Sequence, residues 1–112
     1  MLIIDTHCHA GINWFEPIEL LQFQMERNDV DGAVLIQHRG NYNNSYLLKQ
    51  LSSSPNRFRV VGLIDPDSDN PMNELDHLKN SGATGVRISP LDTFSNYDTS
   101  VIWKHAGDLG LI

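Results

Sequence analysis

Residues 2–9, LIIDTHCH, run from three apolar residues into an aspartate and then into two histidines one residue apart. The apolar run reads as a first strand over residues 2–7, with the histidines at its C-terminal end. On a strand, residues two apart point to one face, so His7 and His9 project together and Cys8 points away. Two imidazoles on one face can share a divalent cation such as zinc. Asp5, on that same face by alternation, is placed to orient one of them. The alternative is a pair that ends a strand facing solvent, or bonded to a loop. Which applies depends on whether this strand end faces a cavity, and so on the rest of the chain.

Outward from this stretch, helices and strands alternate. PIELLQFQMERND (17–29) carries Ile18, Leu21 and Met25 at helical spacing, with Pro17 suited to the first turn. GAVLIQ (32–37) is a short apolar run and reads as a buried strand. SYLLKQLSS (45–53) predicts a second helix with Leu47, Leu48 and Leu51 on one side, and RVVGLID (59–65) a third strand. Asn70 caps a helix begun by Pro71, with Met72, Leu75 and Leu78 as its buried stripe and Gly82 as its stop. TGVRIS (84–89) predicts a fourth strand. DTSVIWKHAGDLG (98–110) predicts a fourth helix, capped by Asp98 and stopped by Gly110. The final LI reads as the possible start of a fifth strand.

Strand then helix, four times, means βα units on a parallel sheet. The 112 residues make one domain, 1–112, without linker or low-complexity tract. Two architectures fit. One is a small doubly wound sheet of the flavodoxin or receiver kind. The other is the N-terminal half of a (β/α)8 barrel, whose sites lie at the C-terminal strand ends. A receiver needs an acidic pair after the first strand, where this chain has histidines. A flavin or nucleotide site needs a Gly-rich or hydroxyl-rich phosphate loop there, and HAGINW offers only Gly11.

Composition narrows the function classes. Apolar residues make up 40% and charged residues 20%, as in a globular protein. The net charge is -6 and the cations are scattered, which argues against nucleic-acid binding. One cysteine allows no internal disulfide. MLIID has neither the positive region of a signal peptide nor the length of a membrane span, so a cytoplasmic protein is expected. NNS (43–45) fits a glycosylation sequon and is read as chance in a chain without an export signal.

LIIDTHCH resembles the opening of the amidohydrolase superfamily, whose first barrel strand carries a His-x-His metal motif. GAVLIQ, RFRVVGLIDP and GATGVRISP resemble successive strands of its amidohydrolase-2 (amidohydrolase-related) branch, strand by strand over the whole chain. The resemblance covers less than half of such a protein. It implies a metal-dependent hydrolase acting on a lactone or related carbonyl substrate, often carboxylated, or a non-oxidative decarboxylase. It implies His7 and His9 as ligands of a divalent metal, zinc by preference. Further histidine ligands follow the fifth and sixth strands in that family, and a catalytic aspartate the eighth. None has a counterpart here. The chain is accordingly expected to be a truncated first half, inactive alone, holding metal weakly or not at all, with no catalytic residue of its own. A receiver- or flavodoxin-like binding module is one alternative, and a non-catalytic half-barrel is the other. Its open edges predict association with another copy.

Other side chains carry weaker expectations. Arg87, in the fourth strand, is read either as receiving a substrate carboxylate or as paired with Asp5 or Asp65. Trp14 and Phe15 follow the histidines and are read as walling a substrate pocket or as a lid, and HRGNYNNSY (38–46) as a loop able to close over a site. Asp65 is read as the polar start of a loop. His77 and His105 belong to the outer helices, and His38 borders the pocket without matching a ligand position.

Overall fold

Each apolar run forms a strand that pairs with the next in sequence. In the computed structural model, which describes all residues 1–112, the elements are β1 (Ile4–Cys8), α1 (Ile18–Arg27), β2 (Gly32–Ile36), α2 (Ser45–Ser53), β3 (Phe58–Gly62), α3 (Pro71–Asn80), β4 (Gly85–Val86) and α4 (Thr99–Asp108). The four strands are parallel, in the order β1-β2-β3-β4. A doubly wound sheet must reverse direction at a switch point, and this one does not, so the flavodoxin-like alternative is excluded. With right-handed crossovers, a strand order that never reverses sets every helix on one face.

Burial follows that rule. Ala33 and Leu35 of β2, with Phe58 and Val60 of β3, are buried against Ile18, Met25 and Leu47 of the first two helices. Their neighbours of opposite parity, Val34, Ile36 and Val61, are half-buried, and Arg59 is exposed. A second cluster joins Leu75 and Leu78 of α3 to Ile102 and Ala106 of α4, with Ile64 and Phe94. The other sheet face is the concave side of a partial barrel. No helix is long and apolar enough to cross a membrane.

The helix signals act as the sequence implies. The Asn70 side chain accepts the Asn73 N–H, and Asp98 accepts the Ser100 N–H, which holds the Asp98 carboxyl below its usual range. Gly82 and Gly110 end α3 and α4 with φ of +98° and +73°, a region where a side chain is strained.

Three strands differ from expectation: β3 ends at Gly62 rather than at residue 65, and β4 and β1 depart further. β4 has two residues rather than the six of 84–89. The Arg87 N–H still reaches the Gly62 carbonyl at 2.8 Å. The Asp92 carboxylate then takes the Ser89 N–H, and Pro90 offers no donor, so the ladder stops. In β1, Asp5 pairs with Ala33 and Cys8 with Leu35, leaving one extra residue in β1 between them. The chain end does extend the sheet: Ile112 donates to the Thr84 carbonyl and accepts from the Val86 N–H at β4's free edge.

One side chain locks a loop to the sheet. Asn44, at the start of α2, donates to the Leu63 carbonyl at 2.8 Å and accepts the Leu63 N–H at 2.9 Å. Its amide therefore completes the backbone just beyond β3. Asn44→Ala should lower the unfolding free energy by about 1–3 kcal/mol, because both Leu63 groups lose their partner. Asn44→Asp, which retains an acceptor, should cost less. Urea denaturation of the three proteins reads the order.

Candidate functional site: a histidine pair at the strand ends

The bulge in β1 decides which side chains meet. Paired residues of parallel strands share a face, so Asp5 lies with Ala33 on the helix side, as Cys8 lies with Leu35. Asp5 therefore does not share the face of the imidazoles, contrary to simple alternation, although the His7 charge still acts on it. Its carboxylate accepts the His7 backbone N–H at 3.0 Å, drawing that group out of the ladder. That bond first, and the Cys8 thiol second, hold the Asp5 carboxyl below its usual range. Burial, reinforced by Asp5, pushes the Cys8 thiol up to about 12, and the side chain lies in the core beside Leu35.

After the bulge, His7 and His9 do share the concave face. Their Nε2 atoms lie 3.3 Å apart. The His9 Nδ1–H donates to the Ile36 carbonyl at 2.7 Å. A carbonyl only accepts, so Nδ1 carries the proton, and Nε2 of the neutral ring presents a lone pair that accepts from His7 Nε2–H. The orienting role expected of Asp5 is thus filled by the main chain at the end of β2. Two nitrogens bound to one tetrahedral zinc, each about 2.0–2.1 Å from it, lie about 3.3–3.4 Å apart. The residues present fit two positions of such a site. No third histidine, cysteine or carboxylate joins them.

A run of rings extends from the pair. Phe15 stacks on His9 at 4.8 Å between centroids and 26° between planes. His38 lies 5.4 Å from Phe15, and Trp14 stacks on His38 at 5.4 Å and 8°. Trp14 is 78% exposed. His38 is thus part of this ring packing, and the 38–46 loop is held rather than free. Gln37, which no sequence motif singles out, is buried beneath this loop. It donates to the Asn43 carbonyl and accepts the His38 N–H. Its only signal was a polar residue at the end of the run GAVLIQ.

Two clefts open among the loops that follow the strands, and neither His7 nor His9 lines them. One, of about 640 Å³, lies between the loop after β1 and the loop after β2, with Gly11, Asn13, Trp14, Gln37, Asn41 and Lys49 on its walls. The other, about 280 Å³, contains Arg39, Tyr42, Arg87, Ser89 and Asp92. Arg39 pairs with Asp92 at 3.1 Å, clasping the loops after β2 and β4. Arg87 forms no ion pair with Asp5 or Asp65; it donates to the Gln37 carbonyl at 3.3 Å and is half-buried. Asp65 accepts the Asp67 N–H, a loop role as expected. His105 pairs with Asp76 across α3 and α4 at 2.8 Å, and His77 is exposed, so both stand apart from the pair.

No family model matches the chain, and no curated protein does. Solved structures resemble it. A protein of Acinetobacter baumannii, provisionally assigned as a 2-pyrone-4,6-dicarboxylic acid hydrolase and holding citric acid, matches with a TM-score of 0.75 at 22% identity, over 97% of this chain and 47% of its own. A Pseudomonas putida protein with the same provisional assignment matches with a TM-score of 0.72 at 22% identity, over 98% and 46%. An apo protein of Agrobacterium tumefaciens matches with a TM-score of 0.67 at 16% identity, over 95% and 44%. The chain spans a little under half the length of these structures. They establish the fold: four parallel strands alternating with helices, matching the N-terminal part of a (β/α)8 barrel.

The thiol gives this region a pH signature. Folded Cys8 stays neutral to about 12, whereas the unfolded thiol ionises near 9.0. Ionisation then favours the unfolded chain, so stability is full below 9.0 and falls as pH rises toward about 12. The urea midpoint of the wild type should drop more steeply across that range than that of Cys8→Ala.

Proposed function

We propose that this chain supplies the first half of a metal-dependent hydrolase of the amidohydrolase-2 kind, with His7 and His9 as two of its metal ligands. The observation that carries the reading is the 3.3 Å approach of the two Nε2 atoms, with the His9 tautomer already set. A divalent metal held there, zinc by preference, supplies a bound water of lowered pKa and a Lewis acid for a carbonyl. The chain's own residues orient and bind. Arg87, free of any carboxylate partner, receives a substrate carboxylate in a bidentate pair. Trp14 forms the outer wall of the mouth.

The substrate of this reading is a small carboxylated lactone or related carbonyl compound. The two relatives assigned as 2-pyrone-4,6-dicarboxylic acid hydrolases support that class, and the citric acid held by one of them is itself a polycarboxylate. Non-oxidative decarboxylation of such a compound is the second chemistry within it. A catalytic zinc site takes three protein ligands and keeps one position open. This chain brings together two, so by itself it binds metal weakly and turns over no substrate. A zinc titration by calorimetry should give weak, micromolar binding that His7→Ala and His9→Ala each abolish. Binding undiminished in both variants, or absent from the wild type, refutes the metal reading and leaves a non-catalytic half-barrel.

The same reading gives the sheet a partner. Strand β1 has no neighbour on its outer side, and Leu2 and Ile3 just before it and Ile4 at its start are exposed at 74%, 39% and 45%. An exposed apolar edge of this kind pairs readily. A second copy is the proposed occupant, closing the concave face. Light scattering at micromolar concentration should give a dimer or larger species, and a monodisperse monomer contradicts this.

A further inference from the structure

The ring run beside the histidine pair has a use beyond packing. An imidazole has two soft torsions, and the contacts of His9 at Nδ1 with the Ile36 carbonyl and at Nε2 with His7 still leave the ring free to rock about the axis through its two nitrogens. Phe15 removes that freedom. Its ring lies nearly parallel to His9 at 4.8 Å, and His38 holds it from the side at 5.4 Å. His38 is in turn covered by Trp14, which the same loop supplies. Adjacent residues of one loop thus bracket His38 and press on His9. The His9 ring meets the Ile36 carbonyl at one nitrogen, His7 at the other and Phe15 on its face.

We infer that Phe15 is a positioning residue for the metal pair: it fixes the plane of His9, so that Nδ1–H stays on the Ile36 carbonyl and Nε2 stays aimed at the point His7 also faces. Phe15 touches no reacting atom and acts through His9. The loop after β1 therefore carries the orienting partner of the ligand that the strand supplies. The inference rests on the metal reading for its purpose, and on the ring geometry alone for its structural content. Partners that orient a ligand imidazole typically govern metal affinity by about 10- to 100-fold. A stacked aromatic pair is worth enough to account for about the lower end of that range.

Phe15→Leu and Phe15→Tyr, in the full chain, test it. Leucine preserves apolar bulk without a flat face, and tyrosine preserves the face. Far-UV circular dichroism and the backbone amide spectrum establish that each variant is folded. Long-range proton–nitrogen correlation of the metal-free protein reports which His9 nitrogen carries the proton. Wild type and Phe15→Tyr should show His9 protonated at Nδ1, and Phe15→Leu a mixture of both tautomers. Zinc affinity, measured against a chromophoric chelator, should fall about tenfold in Phe15→Leu and stay within about twofold in Phe15→Tyr. A folded Phe15→Leu with an unmixed His9 tautomer overturns the proposal, whatever the metal result. So does an equal loss of zinc in both variants. If the wild type binds no zinc the metal reading falls, and the tautomer comparison still decides the role of Phe15.

Discussion

Every strand of this chain joins the sheet on the same side as the one before it, and the remainder of the structure depends on that constraint. Parallel strands need crossovers, right-handed crossovers leave the helices on a single face, and the opposite face becomes concave. The C-terminal strand ends then point the same way, so the loops after β1, β2 and β4 come together. The carbonyl of Ile36 at the end of β2 can meet the imidazole of His9 beyond β1 only because the two strands run parallel in this register. Arg87, fifty residues after Gln37, reaches its carbonyl for the same reason.

Much of this was legible in the sequence. The apolar runs marked the strands because a strand buried against helices must be apolar, and Asn70, Asp98, Gly82 and Gly110 marked helix ends through their own hydrogen bonds and backbone freedom. The resemblance of LIIDTHCH, with the G-V-R strand, pointed to a barrel where secondary structure alone left two architectures open. What alternation could not reveal was the bulge in β1. It is created by a local competition, the Asp5 carboxylate taking the His7 N–H, and it sends Asp5 to the wrong face for the role expected of it. Asn44 and Gln37 were silent for another reason. A polar side chain that substitutes for a backbone partner resembles any loop asparagine or glutamine until the groups it satisfies are known.

The site divides along the same line. The two histidines share a face by short-range geometry, and a sequence conveys that. The setting of His9 comes from contacts remote in sequence: a carbonyl on the next strand fixes the proton, and a ring from the following loop covers the face. Cys8, between them in the chain, is turned to the helices and buried with Leu35, away from the face the two imidazoles share. On the proposed reading, cation binding by this chain is a property of two nitrogens 3.3 Å apart and of the groups that hold them there.

X-ray absorption at the zinc edge, on the protein loaded with less than one equivalent of zinc, tests that claim most directly. The account predicts two imidazole nitrogens about 2.0–2.1 Å from the metal, with the outer-shell scattering of two histidine rings and oxygen in the remaining positions. A spectrum with an all-oxygen shell, or two imidazoles that persist when His7 and His9 are both replaced by alanine, would contradict it.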